Sequence, residues 1–351
     1  MTGLLLPFSW LYGFGILCRN MAFDLGLLKS TSVGVPVISV GNMTMGGTGK
    51  TPLVEYIVGV CLAKGRRVAV VSRGYKRGSS GVLVVSDGER VLANVDKGGD
   101  EPVQIARKYP KAIVVVGERR VEAARKAVGE MNANVIVLDD GFQHRYLRRD
   151  LDIVVVDARK NLYRTRMIPA GERREPMGSI KRAQLVAFSR ADAVKEGGGW
   201  ERWLSNQYRG PKINYQYKLD RIVQIGSDMG FVARDLKGKK MMLFSGIGDH
   251  QDFVRQMGSA GMEVVGNARF PDHHAYTEAD LKWMLSRVVQ TGADGLLTTE
   301  KDYIRLSGNA SLLNRLTGGS QLYYARIVVE IVNGQGILDA LIERCLSGKA
   351  A

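Results

Sequence analysis

Val35-Pro36-Val37-Ile38-Ser39-Val40-Gly41 runs directly into Asn42-Met43-Thr44-Met45-Gly46-Gly47-Thr48-Gly49-Lys50-Thr51-Pro52. The first part is a short apolar run bounded by Gly34 and Gly41, the pattern of a buried strand. A glycine-rich loop follows, then a helical pattern from about Pro52 to Ala63. Strand, loop and helix in that order are the setting a phosphate-binding P-loop requires. Glycines let backbone N–H groups turn inward around phosphate oxygens, and the helix N-terminus adds positive potential. Thr44, Met45, Gly46, Gly47, Thr48, Gly49, Lys50 and Thr51 are therefore the candidate nucleotide-binding residues. In this position Lys50 reaches the β- and γ-phosphates and Thr51 binds Mg²⁺. The motif departs from GxxxxGK[ST] at its first glycine, which is Thr44 here; Gly46 and Gly47 supply the turn instead.

Outward from this stretch, apolar runs alternate with helical patterns. Strands are expected at 67–72, 112–116, 134–138, 151–156 and 184–188, with a helix at 120–131. Such alternation predicts an α/β fold, a parallel sheet covered on both faces. Near 205–225 the pattern changes to extended polar–apolar alternation, at 213–219 and 221–225, and 322–332 reads likewise. Between them lies a second α/β pattern, with strands at 240–244, 263–266 and 295–298 and helices at 252–260 and 278–290. The expected organisation is an N-terminal membrane-interface helix 1–30, a P-loop lobe 31–205, an extended two-stranded linker 206–236 and a smaller α/β lobe 237–351. The return linker strand falls near 322–332.

Bulk properties narrow the function. The 351 residues are 45% hydrophobic and 24% charged, ordinary globular material, with a net charge of +15. A basic balance favours anionic partners. No basic–aromatic interleaving, RNP-like pattern or Cys/His finger is present, which argues against nucleic acid. Cys18, Cys61 and Cys345 are far apart and lack metal spacing; they suit a reducing cytosol and read as small buried apolar side chains. The N-terminal run Leu4–Leu17 is apolar but broken by Pro7, Ser9, Gly13 and Gly15. It is too short to span a bilayer, which takes about 20 residues. Either it packs against the body or, rich in Trp, Tyr and Phe with Arg19 and Lys29 behind it, it lies in a membrane interface.

Four further motifs carry polar groups. Val135-Ile136-Val137-Leu138-Asp139-Asp140 is an apolar strand ending in paired carboxylates, a Walker B-like element able to hold Mg²⁺ beside the P-loop, although Asp-Asp-Gly also suits a turn. Gln143 and His144 follow at once. Gly98-Gly99-Asp100-Glu101-Pro102 reads on its own as a helix start. Phe270-Pro271-Asp272-His273-His274 is either a metal site or a surface loop, and a metal would need further ligands. Arg145 to Arg182 is a basic stretch, a solvated face in part and in part a binder of phosphate or anionic lipid.

These motifs in this order resemble tetraacyldisaccharide 4′-kinase. The resemblance rests on the P-loop, Ser72-Arg73-Gly74-Tyr75, Gly99-Asp100-Glu101-Pro102, Leu138-Asp139-Asp140-Gly141-Phe142-Gln143-His144, Pro169-Ala170-Gly171 and Arg174-Glu175-Pro176. It continues in Phe244-Ser245-Gly246-Ile247-Gly248, Phe270–His274 and Thr299-Glu300-Lys301-Asp302, spanning about residues 4 to 306. The resemblance implies transfer of the γ-phosphate of ATP to the 4′-hydroxyl of a tetraacyl glucosamine disaccharide 1-phosphate, in lipid A biosynthesis. It implies a monotopic enzyme on the cytoplasmic face of the bacterial inner membrane, whose partners are that lipid and an anionic membrane surface. Asp100 would be the base, paired with His273; Mg²⁺ would be held by Thr51 and carboxylates among Glu101, Asp139 and Asp140. Gln143, His144 and Arg174 would lie near substrate or phosphate. With Asp100 in the P-loop lobe and His273 in the second, closure would assemble the pair. One departure from the family pattern is Glu172-Arg173, where Pro-Leu is expected. The competing readings are a P-loop GTPase or metal-insertion chaperone, with Thr299-Glu300-Lys301-Asp302 as its guanine reader, and a nucleotide-gated membrane-associated protein without phosphoryl transfer.

Overall fold

A computed structural model describes residues 4–191, 207–227 and 229–348. The chain forms two compact units. The first comprises Met1–Ala93, Ile105–Gln216 and Val329–Ala351; the second comprises Asn94–Gln104 and Tyr217–Val328. Two segments differ from the lobes read in the sequence. Asn94–Gln104 groups with the second unit, not with the P-loop lobe, and Val329–Ala351 with the first. The expected lobe boundary at 205/206 lies outside the described residues.

In the first unit the strands are β1 (Val37–Asn42), β2 (Val68–Ser72), β3 (Leu83–Asp87), β4 (Ile113–Val116), β5 (Val135–Asp139), β6 (Leu151–Asp157), β7 (Leu185–Ser189) and the start of β8 (Lys212–Gln224). Their order is β8-β7-β6-β1-β5-β2-β4-β3, parallel except for the β3–β4 pair. Every residue of β1, β2, β4, β5, β6 and β7 is buried, as strands covered on both faces must be. The helix Lys50–Ala63 packs on β1, β2 and β5, Arg120–Gly129 on β2 and β4, and Gln335–Leu346 on β1 and β6. Each side chain such as Ile38, Val70 or Ile136 removed fully from water contributes about 1.5–3 kcal/mol. Because β1 lies between β5 and β6, the strand order reverses beside it. Loops at the carboxyl ends of β1 and β5 therefore flank a crevice of the kind that takes ligands in open α/β sheets.

The N-terminal helix Leu6–Asp24 is inverted in character. Its Ser9 and Asn20 are buried, whereas Phe8, Trp10, Leu11, Phe14 and Met21 are exposed. The buried polar face is hydrogen-bonded: Ser9 Oγ donates to Met167 O (2.9 Å), Tyr12 OH to Arg174 O (3.2 Å), and Asn20 Nδ2 to Glu175 Oε2 (2.9 Å). Cys18, expected to be buried, lies exposed on this helix, while Cys61 and Cys345 are buried. The outward-facing apolar side puts Cys18 there. No helix among the described residues is long and apolar enough to cross a membrane.

In the second unit β10 (Lys240–Ser245) lies between β11 (Glu263–Arg269) and β12 (Gly295–Thr299), and β12 pairs with β13 (Leu322–Asn333), all parallel. The two extended runs read at 213–225 are one strand, β8, whose end takes β9 (Gly230–Phe231) as an antiparallel partner. Helices His250–Ser259 and Glu278–Thr291 cover β10 and β11.

Candidate functional site

The P-loop of the first unit leaves the carboxyl end of β1. Gly46 and Gly49 have φ of +92° and +85°. Gly49 is the residue before the helix Lys50–Ala63, and side chains rarely adopt that conformation. The N–H groups of the first helical turn have no partner within the helix, and they face the loop it leaves. Asn42 Nδ2 donates to Thr48 Oγ1 (2.8 Å), Ser189 Oγ to Thr48 O (2.7 Å), and Tyr215 OH to Gly49 O (3.0 Å). Met45 N donates to Glu172 O (2.7 Å), and Thr44 bridges to Arg173 as a short antiparallel pair. The loop is thereby braced on both sides, with Gly47 open. These features fit a nucleotide's phosphates.

At the end of β5, Asp139 is buried and its Oδ2 accepts from Ser72 Oγ (3.1 Å). Asp140 follows in a left-handed conformation, φ 52°. Its Oδ1 lies 3.1 Å from Lys50 Nζ and its Oδ2 accepts from Arg174 NH1 at 2.9 Å. Burial pushes the Asp140 carboxyl up, but Lys50 and Arg174 overcome it and draw it down to about 2. Arg174, not Arg173, thus reaches this carboxylate despite the unusual Glu172-Arg173 before it. Thr51 stands on the first helical turn, so a hydroxyl and two hard carboxylates, Asp139 and Asp140, belong to one end of the sheet. That donor set suits Mg²⁺, which usually takes one or two carboxylates and completes its shell with water and substrate phosphate. Among the described residues no group of three or more His, Cys, Asp or Glu is arranged to hold a metal by itself. Gln143 Nε2 donates to Asn42 O (2.7 Å), which ties the residues after β5 to the end of β1. His144 is part-buried; burial and the fields of Arg120, Arg149 and Arg19 pull its imidazole down to about 4, so it is neutral near pH 7.

Asp100 and Glu101 open the helix Asp100–Lys108 and lie in the second unit. His273 Nδ1 is 2.9 Å from Asp100 Oδ2, and His273 itself is held at φ 64°. The pair expected to be split between lobes therefore falls inside one unit. Arg305 Nε donates to the same Oδ2 at 2.5 Å. Burial pushes Asp100 up, but the His273 hydrogen bond and the Arg305 guanidinium outweigh it and hold the carboxyl well below its ordinary value. His274 takes a different partner, Asp280 Oδ2 at 2.9 Å. Glu101 pairs with Lys301 Nζ (3.0 Å). His273 and His274 are thus each hydrogen-bonded to a different carboxylate of their own unit.

Three residues of this unit escaped the sequence reading of the site: Arg305, Tyr276 and Asp302 in its observed role. Asp302 is fully buried and accepts from Gly246 N (3.0 Å), Tyr276 OH (3.0 Å), Thr299 Oγ1 (2.6 Å) and Arg305 NH1 (2.9 Å). A carboxylate so occupied cannot read a guanine base, which removes the guanine-reader interpretation of Thr299–Asp302. The available signal was the spacing of Asp302 and Arg305, one helical turn apart.

A family profile for tetraacyldisaccharide-1-P 4′-kinase (LpxK) matches residues 1–346. The protein named tetraacyldisaccharide 4′-kinase in Chlorobium limicola is 35% identical over 359 residues, covering 99% of this chain and 98% of that one. Its namesake in Anaeromyxobacter sp. (strain Fw109-5) is 38% identical over 341 residues, covering 96% and 90%. The crystal structure titled as the "apo" form of LpxK from Aquifex aeolicus in complex with ATP is similar with a TM-score of 0.78 at 31% identity, covering 98% and 99% of the two chains. With a profile match and relatives of this identity over nearly its whole length, the chain belongs to the tetraacyldisaccharide-1-P 4′-kinase family.

Proposed function

We propose that the protein transfers the γ-phosphate of ATP to the 4′-hydroxyl of a tetraacyl glucosamine disaccharide 1-phosphate, with the roles of individual residues as follows. The observation that carries the assignment of roles is the convergence of Lys50 and Arg174 on Asp140 at the P-loop end of the sheet. The P-loop amides and Lys50 bind the β- and γ-phosphates, and Arg174 adds a second cation for the charge that spreads over the transferring group. Thr51 and Asp139 or Asp140 would hold Mg²⁺ with the nucleotide, and the ion would supply positive charge against the phosphates. Gln143 and His144 lie in the segment after β5 and contact substrate or phosphate.

Asp100 and His273 handle the hydroxyl proton as a unit. An ionised carboxylate only accepts hydrogen bonds, so the proton of the shared contact sits on His273 Nδ1. The lone pair is then on Nε2, the atom that takes the hydroxyl proton, with Asp100 fixing the tautomer. The Asp100 carboxyl, held below its ordinary value by His273 and Arg305, is a weaker base than a free carboxylate.

The exposed apolar residues of Leu6–Asp24 support a peripheral, monotopic position on an anionic surface, the cytoplasmic face of the inner membrane. Replacing Phe8, Trp10, Leu11 and Phe14 together by Ser should abolish co-sedimentation with anionic vesicles. Activity is tested by incubating the protein with Mg²⁺, γ-labelled ATP and the detergent-dispersed lipid disaccharide. A labelled 4′-phosphate lipid is expected; ATP consumption without it would overturn the assignment.

A further inference from the structure

We propose that Arg305 is a positioning residue that fixes Asp100 and His273 in one geometry, with Asp302 as its anchor; this rests on the reading of that pair as the proton-handling unit. Arg305 is almost fully buried, with its side chain 6% exposed. It is spent entirely inside this cluster. Nε donates to Asp100 Oδ2, and NH1 donates to Gly246 O (2.7 Å) and to Asp302 Oδ1 (2.9 Å). NH2 lies 3.4 Å from His273 Nδ1 and 3.9 Å from Asp272 Oδ1.

Gly246 O is the second link. It also accepts the N–H of His273 (3.2 Å), the residue held at φ 64°. Non-glycine residues avoid that region and persist there only when neighbours over-determine them. One guanidinium therefore grips the carboxylate that orients the imidazole and the carbonyl that holds the imidazole's backbone. Gly246 leaves room for this packing: a Cβ would lie 3.0 Å from Pro271 O and 3.2 Å from Asp302 Oδ1, tighter than ordinary contact. Arg305's planar fork makes these contacts in fixed directions, which a lysine ammonium cannot copy.

The test uses the full chain with detergent-dispersed lipid disaccharide and Mg·ATP. A misplacement of about 1 Å costs roughly a hundredfold in rate, so Arg305→Ala should lose about that in kcat, and Arg305→Lys nearly as much. The KM for ATP should stay within about twofold, since the P-loop is untouched. Guanidinium ion at low concentration should restore part of the Arg305→Ala rate and nothing in His273→Ala. In the Asp100→Asn background the Arg305 substitution should cost little more. Turnover of Arg305→Ala within about threefold of the parent would overturn the inference. So would an equal loss in the Asp100→Asn background with no guanidinium rescue, the mark of general damage. If His273→Ala itself turns over normally, the reading of the pair fails first, and the two failures are told apart.

Discussion

Asp140 and Asp100 are two carboxylates held below their ordinary pKa by cations, one in each unit, and they are held differently. Asp140 divides its partners, Lys50 on Oδ1 and Arg174 on Oδ2. Asp100 receives both His273 and Arg305 on the single atom Oδ2. A divided carboxylate can lose one partner and keep the other in place. A one-atom junction cannot, because each partner fixes the direction available to the other. The contrast separates a carboxylate whose two oxygens each take one cation from one whose partners meet on a single oxygen.

The largest expected effects break the junction. Asp100→Asn and His273→Ala should each lower kcat by about 10³- to 10⁴-fold, the scale seen when an orienting carboxylate is lost from a base. The double variant should be little worse than the poorer single one, because residues acting as a unit are not additive. Single-turnover transfer to the lipid measures this, alongside ATP affinity, which should survive in all three. Multiplicative losses would mean that the two residues work separately.

Next in size is the divided site. Lys50→Ala should cost about 10²- to 10³-fold in turnover, the usual scale for a charge aimed at the reacting group. Near-normal turnover in that variant would remove Lys50 from the phosphate. Arg174→Ala should cost less, about 10- to 100-fold, since Lys50 remains to neutralise the same region. If Arg174→Ala proves the more damaging of the two, the picture of a shared load is wrong.

The smallest effect concerns stability and sharpens the comparison from the side of His144. Its imidazole falls from 6.5 to about 4 in the folded chain, because burial and neighbouring arginines disfavour its charge. Between those values the unfolded chain binds the proton and the folded chain does not. Stability must therefore fall as pH drops from about 6.5 towards 4, by on the order of 1–3 kcal/mol. His144→Gln should flatten that part of the curve in thermal melts. Asp140 has the opposite kind of group with the same direction of loss: its contribution is present above its ordinary value of 3.8 and fades as pH falls towards about 2. A His144→Gln protein with an unchanged slope between pH 6.5 and 4 would place the titration elsewhere.

The P-loop was legible because its residues are contiguous and its logic is local. A strand, glycines where the backbone must turn left-handed, and a helix start all lie between Val37 and Ala63. The strands of the first sheet were legible because parallel strands buried on both faces leave unbroken apolar runs. β3 was passed over although Val82-Leu83-Val84-Val85 is an apolar run; it is a partly exposed, antiparallel edge strand outside the strand–helix alternation. The inverted N-terminal helix was readable only as two alternatives. Its sequence is mostly apolar with few polar residues, and which face is buried depends on hydrogen-bond partners such as Met167 and Glu175 far along the chain.

By itself the sequence determined the α/β class, the P-loop and its Lys50 and Thr51, and the carboxylates ending β5; the pairing of Asp100 with His273 was implied only by the family resemblance. Tertiary structure decided which atoms meet. It set His273 rather than His274 on Asp100 and Arg174 rather than Arg173 on Asp140. It brought Asn94–Gln104 into the second unit and closed the Asp100 junction with Arg305, 205 positions away in the chain. The physical reason is range. Backbone preference and hydrophobic period act over a few residues and leave a trace in order and spacing. A hydrogen bond between distant side chains depends on direction to within tenths of an ångström, and only the packed chain fixes that.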